Sequence, residues 1–492
     1  MELVARAVDI GTHTPTVLLN VADASELGVH PLDRVQLHHA DRVATGIVEI
    51  TDELVERGVL GVTRPLDHLT GSVEVTIAPK PASVSFVTKK LDGLELEHAE
   101  MVAIVADIDR DRLNDVETSA FVSAVQAHGL SREEIRCLTR AMVDVGETID
   151  WGHAPIADKH SIGGVAGNRV TPVVVPIAVA AGLTVPKTSS RAVTSAAGTA
   201  DTMEVFCDVE FSLAEIREIV DATGGCMVWG GAVNLSPVDD KIIRVETPLS
   251  LDPPGQVIAS VLSKKKSAGA THVVIDIPYG EGAKVASLRA AREMAEDFGR
   301  VGADLGMAID CTITRGEQPI GRGIGPVLEA RDVLAVLEGG GPTSLRLKSL
   351  TLAQVLLDAC GVDEDAVDVL DSGRALDAFR AIVGAQGGDP AVTVDDLVPG
   401  PHTATVTADR EGVVTHIDNR LVSELARRAG APKDHGAGLS LHHRVGDTVN
   451  AGDDLFTVHA EKRSKLEEAA AFAVETEPMR VRPRDEALVE VA

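Results

Sequence analysis

The sequence predicts a multi-domain chain of mixed α/β and α+β class. A small β-rich domain is expected over residues 1–85. A helical domain follows over 86–150 and takes in roughly 236–265. A central α/β domain spans 151–235 and 266–390, and a C-terminal α+β domain spans 400–492. Three observations predict this order. The apolar period changes from two to three-and-four near residue 95. From about Pro155, short apolar strands run repeatedly into glycine-rich loops. "GGDPAVTVDDLVPGP", Gly387 to Pro401, has the composition of a linker ahead of a last block of strands. A length of 492 residues gives a prior of about three domains, and 44% apolar residues suffice for their cores.

Each element has a local reason. "RVQLHH", "RVATGIVEI" and "SVEVTIAP" alternate as half-buried strands, and "PKPAS" closes them. From about Glu95 to Val145 the spacing is helical. Ser131 and Glu134 form a capping box for "REEIRCLTRAMVDVG", between Gly129 and Gly146. "TPVVVPIAVAAGLTVP" is too short and too proline-rich for a membrane span and reads as a buried helix. "HVVIDIPYGEGAK" and "GMAIDCTITRGEQPIGRGIGP" are strands entering glycine loops, which puts ligands at strand C-terminal ends. The last block reads as strands ("TATVTADREGVVTHID"), a helix ("NRLVSELARRAG"), more strands and a final helix near "KRSKLEEAAAFA".

The formal net charge is −29. Such a field repels nucleic acid and anionic membranes, so neither is an expected partner. An anionic substrate then needs a local cationic pocket. The acidic, lysine-poor composition suits a cytoplasm with molar salt, where repulsion is screened. Cys137, Cys207, Cys226, Cys311 and Cys360 lie far apart with no CxxC spacing, and read as mostly buried thiols of a reducing compartment. "MELVARAVDIG" lacks the basic start and apolar core of a signal peptide, which points to a cytoplasmic protein. His38-His39 and His442-His443 do not suggest metal, because adjacent strand residues face opposite ways.

Two stretches carry chemistry. In "DKHSIGGVAGNR", Asp158 to Arg169, Lys159 precedes the glycines, so this is no Walker loop. It still offers a charge at Lys159, a hydroxyl at Ser161, and backbone N–H groups freed by Gly163, Gly164 and Gly167. The alternative is a glycine-rich turn beside a solvated lysine. "KTSSRAVTSAAGTADTMEVF", Lys187 to Phe206, sets Ser189, Ser190, Arg191, Thr194, Ser195 and Thr199 among small residues, which suits a phosphate dianion. Asp201 and Glu204 read better as helix N-terminal charges than as catalytic groups. Two anion loops imply an enzyme that handles phosphate on both sides of a reaction.

"SSRAVTSAAGTADTMEV" and "DKHSIGGVAGN" together resemble the thymidine phosphorylase family, over essentially the whole chain. Within it, the sequence is most similar to the archaeal branch that cleaves AMP and related nucleoside 5′-monophosphates. Nucleoside-specific members are richer in glycine where Ala192, Thr194, Ser195 and Ala197 stand here, and that branch also carries an N-terminal β-rich extension. The resemblance implies reversible phosphorolysis, in which phosphate displaces the base from C1′ and leaves ribose 1,5-bisphosphate. It implies a helical and an α/β domain, no cofactor and no metal. The partners implied are a nucleoside monophosphate, inorganic phosphate and further copies of the chain, as a homodimer or larger homo-oligomer.

The resemblance also implies roles. Lys159, Ser161 and Thr199 would bind the attacking phosphate. Gly164, Ser190, Arg191, Ala192, Val193, Thr194, Ser195, Thr199, Ser260 and Lys284 would hold the nucleotide, with Arg191, Thr194 and Ser195 near its 5′-phosphate. Asp252 in "LSLDPPGQVIAS" matches the proton donor, and His160, Arg244 and Lys264 are candidate base contacts. Asp252 lies between apolar residues and two prolines, where partial burial would favour its protonated form; otherwise it is a cap before "PPG". Lys284 is otherwise a surface lysine, and His160 a packed histidine. Competing readings are a thymidine or uridine phosphorylase, a phosphoribosyltransferase needing magnesium, and a non-enzymatic scaffold or nucleotide sensor.

Overall fold

A computed structural model describes residues 1–484 and 486, except His13, Val193, Thr194 and Asn234. It divides into two compact units, residues 1–146 with 236–260, and residues 147–235 with 261–492.

The first unit opens with a closed barrel. Its strands are β1 (Glu2–Ala7), β2 (Thr16–Asn20), β3 (Arg34–His39), β4 (Arg42–Thr51), β5 (Val59–Val62) and β6 (Gly71–Ile77), in the order β1-β5-β2-β4-β3-β6. A short helix, α1 (Val21–Leu27), follows β2. Alternation works as expected: Val35, Leu37, Val73 and Val75 point inward with Leu19 and Leu60, and closure leaves no free sheet edge. Helices α2 (Ser83–Leu91), α3 (His98–Asp109), α4 (Asp115–His128) and α5 (Arg132–Val145) come next. The Ser131–Glu134 capping box is present, and Glu134 also accepts two bonds from the buried Lys90 ammonium. The chain returns later to this unit as α9 (Pro237–Glu246), which packs on α3, α4 and α5 through Val238, Ile242 and Val245. It also contributes the start of α10 (Pro254–Ser267).

The second unit is built on parallel strands. β7 (Ala157–Ser161), β10 (His272–Tyr279) and β11 (Ala308–Arg315) form one sheet in the order β11-β10-β7. β8 (Val185–Ser189) and β9 (Gly225–Trp229) form a second parallel pair, and a bridge between Ile156 and Thr184 links the two. The buried helix expected after the first glycine loop is α6 (Thr171–Ala180). Eight of its ten residues are buried, which is why its sequence shows no polar face. Around it lie α7 (Thr199–Met203), α12 (Pro326–Leu337), α13 (Thr343–Ala359), α14 (Ala366–Asp371) and α15 (Arg374–Ala385), while α8 (Leu213–Thr223) packs on β9 and α11 (Leu288–Asp304) on β11.

The C-terminal α+β segment has a core of its own, as expected, but it is not closed off from the central one. "GRGIGP" contains β12 (Gly323–Ile324), which pairs with β15 (Gly438–Leu441) in a sheet with β17 (Asp454–Ala460) and β13 (His402–Thr407). A second sheet joins β14 (Gly412–Ile417), β16 (Thr448–Val449) and β18 (Met479–Arg482), while α16 (Asn419–Ala429) and α17 (Arg463–Thr476) pack together on the first, against β15, β17 and β13. Ala166 and Ile324 share this core with Val414, Leu425 and Phe456. Nor is the 387–401 stretch loose: Leu397 is buried, and Arg331 donates to the carbonyls of Val394 and Leu397. Among the described residues, no helix is long and apolar enough to cross a membrane.

Candidate active site

The parallel strands end together, and their C-terminal ends carry the polar groups. On β7, Lys159 and Ser161 are two apart and share a face. The Lys159 side chain is almost wholly buried, at 1% exposure, yet its ammonium donates to Ser161 Oγ at 2.5 Å and lies 3.4 Å from Thr171 Oγ1. In register beside Ser161 on β10 stands Asp276, fully buried. Its carboxylate accepts from Ser161 Oγ at 2.7 Å, Thr314 Oγ1 at 2.7 Å and Asn168 Nδ2 at 3.3 Å. Lys348 Nζ, from α13, lies 2.9 Å from Asp276 Oδ2. Burial pushes the Lys159 ammonium down to about 7; Asp276 supports its charge, while Lys348 and Arg169 oppose it. Burial works against the Asp276 carboxylate, but Lys348 and Lys159 outweigh it and hold its pKa below the usual range. A partly charged lysine at a strand end is suited to capturing an anion that restores its charge.

A second loop runs from Ser190 to Gly198. Val193 and Thr194, both expected nucleotide contacts, lie outside the described residues. Asp201 is the organiser: it accepts from the N–H groups of Ala192 and Gly198, each at 2.7 Å, and closes the loop into a ring. Gly198 is needed there, since a Cβ would fall 2.4 Å from Ser190 O and 2.7 Å from Ala192 N. Ser190 is exposed, and Ser195 Oγ donates to Ala197 O. Ser189 Oγ is buried and has no hydrogen-bond partner among the described residues. Arg169 joins the two loops. It donates to Thr199 Oγ1 at 3.1 Å and Ala197 O at 2.8 Å, and is anchored by the buried Glu329.

The Arg191 guanidinium, expected beside a 5′-phosphate, is surrounded by carboxylates. Its guanidinium donates to Glu204 at 2.5 and 2.8 Å and to Glu210 at 2.9 Å, lies 3.4 Å from Asp201, and sits over the Trp229 ring. These partners raise its pKa above the ordinary value, hydrogen bonding by Glu204 most of all. α7 is a single short turn, so the chain folds back and brings Glu204 and Glu210 onto the arginine. Arg191 thus braces the loop through three carboxylates. Asp201 lies in the first turn of α7, as read from sequence, and also fastens the loop, whereas Glu204 stands at the C-terminal end of that helix and holds Arg191.

Lys284 follows β10 and is exposed, with its side chain lying over the first glycine loop. Gly164 has φ +84°, and a Cβ on it would meet the Lys284 backbone nitrogen at 2.5 Å. Gly164→Ala is therefore expected to force these loops apart at about 1–3 kcal/mol of strain. We expect it to lower kcat/KM at least tenfold while the melting temperature shifts by only a few degrees; unchanged activity would show that the loop contact is dispensable. Asn419, opening α16, donates to Gly316 O and accepts from Ala166 N, so a C-terminal residue ties the first glycine loop to the loop after β11.

Behind them lies a second buried charge cluster. Asp158 is 2.7 Å from Lys265 Nζ and 3.4 Å from Lys187 Nζ. Burial drives Lys187 well below its usual value, with Asp158 supporting its charge and Lys265 opposing it. His160 is held neutral by burial and by Lys265, Lys187 and Lys159. It can therefore offer one donor and one acceptor. Lys264 is half-buried on α10.

Three expected residues belong to the first unit. Asp252 is exposed, not partly buried, on the stretch just ahead of α10, which Pro254 opens at a position where a proline's missing N–H costs nothing. Arg244, a candidate base contact, is engaged with Asp115 at 2.8 Å. Ser260 is half-buried on α10, four residues before Lys264.

Sequence reasoning missed Asp276, Lys348 and Arg169. Asp276 could have been noticed as a lone carboxylate inside the apolar run "HVVIDIP". Nothing local marks Lys348 in "SLRLKSLTLAQ". No group of three or more His, Cys, Asp or Glu among the described residues is placed to hold a metal.

The chain matches three family models: a glycosyl transferase family helical bundle domain at residues 84–146, a glycosyl transferase family a/b domain at 153–339, and a pyrimidine nucleoside phosphorylase C-terminal domain at 413–477. It is 61% identical to an AMP phosphorylase from Natronomonas pharaonis, with 100% of each chain covered. It is 45% identical to an AMP phosphorylase from Thermococcus kodakarensis, covering 98% of each. An AMP phosphorylase 1 from Archaeoglobus fulgidus is 46% identical over 94% of each. Among solved structures, anthranilate phosphoribosyltransferase from Thermus thermophilus superposes with a TM-score of 0.52 at 20% identity, over 61% of this chain and 99% of that one; the likeness is one of fold.

Proposed function

The chain belongs to the AMP phosphorylase family, and on that premise we propose that it catalyses the reversible reaction of a nucleoside 5′-monophosphate with phosphate. AMP and phosphate give adenine and ribose 1,5-bisphosphate. It is a pentosyl-transferring enzyme. The observation that supports this chemistry best is the buried Lys159 ammonium beside Ser161 at the end of β7.

In this reading Lys159, Ser161 and Thr199 receive the attacking phosphate. The N–H groups and hydroxyls of the 190–195 loop, with Ser260, Lys284 and the backbone at Gly164, hold the nucleotide. His160, Lys264 and Arg244 are the candidate base contacts. As the N-glycosidic bond breaks, positive charge builds on the sugar. A dianion fixed below C1′ stabilises that charge and then bonds to the carbon, so positioning and electrostatics lower the barrier. Asp252 gives the departing base its proton. Because Asp252 is exposed, this step depends on the bound nucleotide covering it. The enzyme is further proposed to work in a salt-rich cytoplasm as a homo-oligomer, which sedimentation in molar KCl would measure.

The test is a substrate panel in molar KCl: phosphate with AMP, GMP, CMP, UMP and the matching nucleosides, with released base quantified. Release from AMP but not from adenosine is expected. Release from nucleosides alone would make the protein a nucleoside phosphorylase, and loss of activity on chelation would favour a magnesium-dependent transferase. Asp252→Asn is expected to keep AMP binding within about threefold and to lower kcat about 10²–10⁴-fold, the usual worth of general acid catalysis. A normal kcat would remove Asp252 from the mechanism.

A further inference from the structure

We propose that Lys348, on α13, is a positioning residue for the attacking phosphate: as the standing counter-ion of Asp276, it leaves the Lys159 ammonium available to the anion. The proposal rests on the phosphate site being at Lys159 and Ser161. Three observations carry it. First, the Lys348 side chain is 8% exposed, and its ammonium meets Oδ2 of the fully buried Asp276 as an ion pair at 2.9 Å. A buried ammonium is costly to desolvate, and its charge has to be set against the carboxylate it meets. Second, Asp276 holds Ser161, which in turn holds Lys159, so one carboxylate fixes both expected phosphate ligands. Third, the charge count turns on Lys348. Lys159 and Lys348 against Asp276 leave one positive charge, while Arg169 beside them is neutralised by Glu329. Without Lys348 the trio is neutral, Lys159 must pair with Asp276, and the attraction for a dianion is gone.

Sulfate is the probe, because it stays a dianion across the working pH range. Its inhibition constant against phosphate, and KM for phosphate and for AMP, would be measured for the full-length enzyme and for Lys348→Met, Lys348→Arg and Lys159→Gln. Lys348→Met is expected to raise the sulfate constant and the phosphate KM about tenfold or more, the worth of a lost charge contact, with the AMP KM within about threefold. Lys348→Arg should recover most of the loss. The pH at which sulfate binding fades should rise in Lys348→Met by about one unit, because a like charge facing Lys159 is gone. Asp276, Arg169, Asp158 and Lys187, the other charged groups facing Lys159, are unchanged. A residue that merely packs would not move that pH.

If Lys348→Met leaves sulfate and phosphate within twofold while Lys159→Gln weakens both, the proposal is overturned and the phosphate site stands. If Lys159→Gln also leaves both unchanged, the phosphate site itself is wrong, and the proposal falls with it. Should Lys348→Met fail to fold, Asp276→Asn combined with Lys348→Met decides. It removes the buried pair together and restores one net positive charge. Sulfate affinity within about threefold of the wild type supports the charge count, and a tenfold loss overturns it.

Discussion

Lys159→Gln is expected to lower kcat/KM for phosphate by about 10²–10³-fold, the effect of removing one preorganised donor to a charged transition state. The melting temperature should move little. Glutamine keeps a donor near Ser161 and Thr171 but carries no charge, so the loss reads the ammonium itself. The pH dependence follows from the direction of the shift. Burial brings Lys159 to about 7, so it is charged below that pH and neutral above it in the unliganded enzyme. Sulfate binding should therefore weaken as pH rises from 6 to 8.5 in the wild type, and stay weak and flat in Lys159→Gln. Stability runs the other way. This lysine is depressed on folding, so the unfolded chain binds more protons between about 7 and 10.5, and folding stability from this group rises with pH across that window. Melting of the wild type relative to Lys159→Gln, measured at pH 6.5 and 9, should show the wild type gaining. A wild-type curve parallel to the variant's would mean that Lys159 keeps its proton in the folded enzyme.

Asp201→Ala is expected to open the second loop. Asp201 is 4% exposed and accepts from two backbone N–H groups. Each donor left without a partner costs about 1–3 kcal/mol. The anchor of Arg191 is weakened at the same time, although Glu204 and Glu210 remain. The consequence is a KM for AMP raised more than tenfold, with a smaller change in KM for phosphate because Lys159 and Ser161 are untouched. Asp201→Asn keeps an acceptor oxygen and should fall between the two. Equal losses for both substrates would mean that the 190–198 loop serves the phosphate as much as the nucleotide. Arg191→Ala belongs to the same argument. Because its guanidinium faces Glu204, Glu210 and Asp201, it is expected to weaken AMP binding through loop order, so Arg191→Lys, which cannot span those carboxylates as a fork, should recover little.

Much of this molecule is set by short-range rules that a sequence displays. The barrel strands alternate with period two, the Ser131–Glu134 box starts its helix, and an apolar run without a polar face becomes the buried α6. The two loops proposed to hold anions are each marked by lysine, hydroxyls and glycines within a dozen residues. What the tertiary structure alone decided are the pairings between distant segments. Asp276 meets Ser161 because β10 lies parallel to β7 in one register, 115 residues apart. Lys348 reaches that carboxylate because α13 packs on the sheet, and its own neighbours in sequence give no hint of it. Arg191 meets Glu204 and Glu210 because the chain folds back after α7, and Asp252 stands exposed just ahead of α10. Periodicity and turn chemistry act over a few residues and leave a written pattern. The energy of a buried charge depends on which opposite charge lies within a few ångströms, and only the packed chain determines that.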